Sequence, residues 1–248
     1  MDLISVIIPY FKKKKFILDT IHSVLHQSYN NIEILIIYDD EDKEDLKFLN
    51  DNFKKFPNIK ILVNDENIGA GPSRNKGVHI AKGKYIGFID ADDIWKKDKL
   101  LKQIEFMKKN SYKISHTTYE IIDENGKFLG LRKANHFYNY QDILKSCDIG
   151  LSSIILEKEL FNNDTKFADL KTKEDFVLWL KILYSEVEIA ALTENLMSWR
   201  KTRNSLSSSL FQKLMDGYKV YRNYMKYNAM KSLYLLICLS INYLKKND

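Results

Sequence analysis

Four short apolar runs, at residues 4–9, 32–38, 59–63 and 85–89, alternate with stretches of helical period at 16–27, 43–53 and 72–81. That alternation predicts an α/β fold with a parallel sheet, because parallel neighbours are joined through crossover connections. Right-handed crossovers then bring the carboxyl ends of all four strands to one rim, where ligands of open α/β sheets bind. The rim gathers Pro9 and Tyr10, Asp39 and Asp40, the loop 64–71, and the acidic cluster Asp90, Asp92 and Asp93.

The fourth run ends most abruptly. In YIGFIDADDIW, residues 85–95, continuous apolar character gives way to three carboxylates within four positions. A continuous run belongs to a strand covered on both faces. Carboxylates crowded at its end repel one another unless a hard divalent ion, Mg²⁺ or Mn²⁺, alone or carrying a diphosphate, joins them. The competing use is capping: Asp92 or Asp93 could start a helix expected over 95–110.

The loop Asn67-Ile68-Gly69-Ala70-Gly71-Pro72-Ser73-Arg74-Asn75 imitates a dinucleotide fingerprint but has Arg74 at the third glycine and follows the third strand, not the first. It reads better as a helix start, with Pro72 in the first turn and Arg74 facing the rim, in reach of a phosphate or a carboxylate. Asp39 and Asp40 are placed to accept hydrogen bonds from a base or a ribose, or to form a turn. Beyond 110 the pattern changes. Runs at 114–122 and 128–131 flank Asn125-Gly126, a hairpin signal. Next come a strand over 152–156, a polar loop over 162–172 and an amphipathic helix over 173–184. Glu174 and Asp175 open that helix, where the dipole favours acids whatever their function.

The net charge of +6 is unevenly spread: from Leu196 onward ten basic residues face only Asp216 and Asp248, leaving −2 for the rest. A basic, Tyr- and Leu-rich segment over 210–248, expected to be helical, points to an anionic partner, phospholipid or nucleic acid, or else packs its apolar faces on the core or a second subunit. Its apolar run at 233–241 is too short to span a bilayer, so peripheral attachment is the most it supports. Cys147 and Cys238 have no metal or redox spacing, which suggests a reducing compartment. The N-terminal ISVIIPY reads as a first strand and not as a signal peptide.

SVIIPYF, the strand ending in YDD, ENIGAGPSRNKGV, KGKYIGFIDADDIW and KEDFVLWLKI stand in the order and at roughly the spacings of family 2 inverting glycosyltransferases with a GT-A fold, which the chain resembles from Ile4 to about Ser209. Trp199-Arg200 with Asn204-Ser205-Leu206-Ser207-Ser208 resembles the branch that builds bacterial surface polysaccharides such as lipopolysaccharide and capsule. The resemblance implies a nucleotide-sugar-binding half over 1–110, an acceptor half over 111–209 and the helical tail beyond. It implies that Pro9, Tyr10, Asp39 and Asp40 hold the nucleoside and that Arg74 lies beside the donor. Asp90-Ala91-Asp92 would be the DxD motif, with Asp92 facing Mn²⁺ or Mg²⁺ and Asp90 the sugar or ribose. Asp175 would be the catalytic base, supported by Glu174. Phe11 and Glu41-Asp42 depart from the family's usual Asn and Gly-Ser.

The activity that the resemblance implies is transfer of a hexose, by family frequency UDP-linked, to a saccharide or lipid-linked saccharide. The expected setting is the cytoplasm, peripheral to the inner membrane face, with no nucleic-acid partner. His116, His136 and Trp199 are candidates to line the acceptor region. Two rival readings carry less. A nucleotidyltransferase needs a glycine-rich phosphate loop after the first strand, where Lys12 to Lys15 have no glycines. A binding module driven by the basic tail leaves the acidic cluster without a purpose.

Overall fold

The computed structural model describes residues 1–146, 148–202 and 209–245. Strands β1 (Ile4–Tyr10), β2 (Ile32–Tyr38), β3 (Ile59–Val63) and β4 (Tyr85–Phe88) lie in the order β3-β2-β1-β4, and every pairing is parallel. Helices α1 (Lys14–Leu25), α2 (Glu44–Phe53) and α3 (Ala70–Ile80) make the connections. Every residue of β2 and all of β1 except Pro9 are buried, as continuous apolar runs require of a sheet covered on both faces.

Beyond β4 the sheet becomes mixed. The order continues through β8 (Ile155–Glu157), β6 (Ile114–Ile122), β9 (Ala190–Arg200) and the two-residue β5 (Ile94–Trp95), with β7 (Phe128–Arg132) paired to β6. The β6–β7 hairpin forms at the expected Asn-Gly turn, where Gly126 has φ +85° and the Asp123 carboxylate accepts from the backbone N–H groups of Asn125 and Lys127. Pairing with β9 draws Ile94 and Trp95 into the sheet, so helix α4 (Lys99–Asn110) starts later than the sequence suggests. Asp92 and Asp93 are therefore not its caps.

Two cores flank the sheet. One holds α1, α2 and α4 against Ile4, Val6, Ile8 and Tyr10; the other takes in Ile143 of the short α5 (Tyr140–Ile143) and centres on α6 (Glu174–Tyr184), whose residues from Phe176 to Leu180 are all buried. The tail forms α7 (Leu210–Lys219), a π-helical turn (Val220–Tyr224) and α8 (Ala229–Lys245). Val220, Tyr221, Leu235 and Leu239 pack into the α6 core, so the tail shares its interior with the rest of the chain. Cys147 and the 204–208 part of the polysaccharide-branch motif lie outside the described residues.

Candidate active site

Arg74 joins the two halves of the rim. It stands in the second turn of α3, buried, and donates through Nη2 to Asp90 Oδ1 at 2.7 Å and through Nη1 to Glu174 Oε1 at 2.6 Å. Burial opposes its charge, but the two acids outweigh burial and its pKa rises. The glycine motif serves the same junction. A side chain at Gly71 would meet the Ala168 carbonyl oxygen at 2.6 Å and Glu174 Cγ at 3.2 Å, and Asn75 exchanges two hydrogen bonds with the backbone of Phe167. These contacts clamp the 167–168 segment and the start of α6 against α3.

At that start, burial raises the pKa of Glu174 to about 7 against the pull of Arg74. Asp175 is also raised by burial, although Arg74 and a hydrogen bond from the Phe176 N–H at 2.7 Å favour its charge. A carboxylate held short of full stabilisation is a better proton acceptor than one in water.

The acidic cluster divides by role. Asp93 is structural. Fully buried, it accepts from Ser152 Oγ at 2.5 Å and from the Arg200 N–H at 2.9 Å, and burial, then Asp92 and Asp90, push its pKa well up. It thus ties β9 and the 151–153 turn to the end of β4. The neighbouring Ala91 is buried in the core. Asp92 is raised by burial in spite of Lys13, whose Nζ lies 2.6 Å from Asp92 Oδ2 and also donates to Thr202 Oγ1 at 3.2 Å. Arg200 Nε donates to the Asp92 carbonyl at 2.9 Å. Sequence reasoning gave Lys13 no role and named Arg200 only within the polysaccharide-branch motif, since no spacing connects either to Asp90-Ala91-Asp92.

A divalent ion fits this donor set. Lys13 shows that Asp92 takes a cation at this spot, and Asp90 and Asp92 are hard oxygen donors. Among the described residues no three acidic, His or Cys side chains form a metal cage. Mg²⁺ characteristically accepts one or two carboxylates and completes its shell with substrate phosphates and water.

Two nucleoside expectations are corrected. The Tyr10 ring is fully buried, stacked on Tyr38 with centroids 5.3 Å apart, and its hydroxyl donates to Asp45 Oδ2 at 2.6 Å. Its side chain belongs to the core, and the aromatic ring exposed beside it is Phe11, 39% accessible. Asp39 spends its carboxylate on the loop, accepting from the Ile68 and Gly69 N–H groups at 2.9 and 2.8 Å and from Asn64 Nδ2 at 2.7 Å. Gly69, at φ +88°, completes that turn. Asp40 remains as the rim acid after β2, with its pKa raised by burial and then by Asp42, and with Lys12 Nζ 3.9 Å away. Pro9 is half-buried near the end of β1, paired with Ile37 of β2.

The acceptor-side histidines are corrected as well. His116 is buried against Phe137, bonds through Nε2 to the Asn135 carbonyl, and is pushed down to about 4 by burial. His136 pairs with Glu188 at 2.7 Å. His116 lies in the amino half of β6, opposite Ala191, whereas Trp199 lies opposite Ile121 toward the rim end.

Residues 5–162 match the family model described as glycosyl transferase family 2. The chain is 33% identical over 250 residues to UDP-Glc:alpha-D-GlcNAc-diphosphoundecaprenol beta-1,3-glucosyltransferase WfgD of Escherichia coli, with 99% of this chain and 95% of that one covered. It is 32% identical over 249 residues to TuaG of Bacillus subtilis (strain 168), a glycosyltransferase assigned provisionally to teichuronic acid biosynthesis, covering 98% and 97%. S. aureus TarS residues 1–349, solved in complex with UDP-GlcNAc, superposes with a TM-score of 0.74 at 20% identity, over 95% of this chain and 70% of that one.

Proposed function

The chain belongs to glycosyl transferase family 2, and from that premise we propose that it is an inverting, metal-dependent hexosyltransferase. Its donor is a UDP-hexose and its acceptor a hydroxyl of a saccharide or lipid-linked saccharide in cell-surface polysaccharide synthesis. The observation that carries the reading is the Asp90–Arg74–Glu174 bridge, which fixes the acidic rim against the helix whose first turn carries Asp175. The WfgD relative is named for transfer from UDP-Glc to a diphosphoundecaprenol-linked sugar with a beta linkage, and a beta product is what inversion of an α-linked donor gives.

In this mechanism Asp40 and Pro9 flank the nucleoside. Asp92, with Asp90, would hold Mn²⁺ or Mg²⁺, which when bound supplies charge neutralisation at the departing diphosphate. Arg74 keeps Asp90 and Glu174 in fixed positions. The acceptor oxygen bonds to the anomeric carbon as the bond from that carbon to the diphosphate oxygen breaks, and Asp175 takes the hydroxyl proton. One displacement needs one base and no protein nucleophile, and it inverts the anomeric centre. The nucleotidyltransferase alternative has little support, because the Gly69–Gly71 stretch is spent on Asp39, Ala168 and Glu174.

The test is transfer from UDP-glucose to a GlcNAc-diphospholipid, with the product's anomeric configuration read by NMR. A beta-linked product is expected, at a rate that falls as pH drops through about 7, where Glu174 gains a proton and loosens its hold on Arg74. An alpha-linked product would refute single displacement. A rate indifferent to mild acid would refute the part given to Glu174.

A further inference from the structure

Helix α8 is apolar on two opposite sides. Leu235 and Leu239 pack into the α6 core. On the other side Met230, Leu233, Tyr234, Ile237, Ile241 and Leu244 recur at helical spacing and are 46% to 82% exposed. A helix docked on a core by one face needs no second apolar stripe. Phe211 and Leu210, at the start of α7, add a further exposed apolar edge.

The charge around the stripe says what covers it. From Ser209 to Lys245 there are six basic residues and one acid, Asp216. That acid is buried and consumed by Thr172 and Gln212. Lysines sit on the aromatic rings of this unit, with Lys231 Nζ 3.7 Å from the Tyr227 ring centre, Lys213 4.9 Å from Tyr243 and Lys145 5.6 Å from Tyr234. Apolar stripe, tyrosines and flanking cations match the headgroup boundary of an anionic bilayer. A second copy would bring the same positive charge to the contact. Among the described residues no helix is long and apolar enough to cross a membrane.

We propose that α7 and α8 form an interfacial membrane anchor, with α8 lying in the plane of an anionic lipid surface and its outer stripe in the acyl boundary. The inference rests on the reading that the acceptor is lipid-linked, and it gives that acceptor a route. Asp216 on α7 accepts from Thr172 N and Oγ1, both at 3.0 Å, three residues before Asp175. The anchor thereby holds the loop before the base close to the surface from which such an acceptor rises.

The test is flotation of the full chain with phosphatidylglycerol–phosphatidylcholine vesicles and with pure phosphatidylcholine vesicles, without donor or acceptor. Binding to the anionic vesicles alone, reversed by high salt, is expected. Lys231→Gln should lower partitioning about fivefold, the equivalent of one basic residue near an anionic surface. The exposed-face variant Leu233→Asn/Ile237→Asn/Ile241→Asn should lose binding while keeping its thermal midpoint and its UDP affinity. Three results would overturn the proposal: no binding to anionic vesicles, unchanged binding by the triple variant, or a solution dimer that the triple variant converts to monomers without any vesicle binding. Because no substrate is present, failure here leaves the transfer reading standing. Failure of transfer likewise leaves the anchor standing.

Discussion

Asp175→Asn is expected to lower turnover by about 10²–10⁴-fold, the usual weight of a general base, and to leave UDP affinity nearly unchanged. The substitution is close to isosteric, and its amide oxygen can still accept from the Phe176 N–H that now bonds Oδ1 at 2.7 Å. The start of α6 keeps its other ties too, through Arg74 to Glu174 and through Asp216 to Thr172. What disappears is a carboxylate whose pKa burial has raised, and with it the proton acceptor proposed for the transfer. Steady-state transfer together with UDP calorimetry checks this. Lost UDP affinity with full turnover would place Asp175 in the donor site and remove it from the chemistry.

Arg74→Met is expected to be the most damaging single change to stability, costing about 3–5 kcal/mol. Breaking a buried pair leaves an uncompensated charge in the interior, and here two acids lose one partner. The cause can be tested by repair. Adding Glu174→Gln to Arg74→Met should recover part of the loss, since a neutral amide replaces the stranded carboxylate. The pH dependence has a definite sign. A carboxyl whose folded pKa stands above its unfolded value binds more protons when folded, so the Arg74→Met chain should gain stability as pH falls through the raised Glu174 value. Urea denaturation of the single and double variants reads both effects. A loss below about 1 kcal/mol, the size of an ordinary substitution, would mean that Arg74 is not the keystone of the rim.

The parallel half was legible because β1, β2 and β4 are buried on both faces and the apolar runs have sharp ends; the spans 32–38 and 59–63 coincide with β2 and β3, although β3, at the sheet edge, buries only Ile59. β9 was not. Its burial is irregular along AALTENLMSWR, and its register to β6 shifts around Thr118, so neither alternation nor a continuous run marks it. Tyr10 carried a signal that went unused. Strand alternation puts it on the face of Val6 and Ile8, and that face lies in the core. Asp39 carried none, since nothing in the residues announces that two N–H groups at 68 and 69 will claim its oxygens. Arg74 and Glu174 are 100 residues apart, and only the fold makes them partners. In the tail the sequence presented packing and membrane contact as rivals. Opposite faces of α8 leave room for both.

A metal-assisted donor site at the rim is tested by calorimetric titration with UDP, GDP and dTDP, each with and without Mn²⁺, on the wild-type chain and on Asp92→Asn. UDP is expected to bind, with Mn²⁺ strengthening it and Asp92→Asn removing the Mn²⁺ contribution. UDP binding that ignores both Mn²⁺ and the Asp92 substitution, or no binding of any of the three nucleotides, would contradict a metal-assisted donor site at this rim.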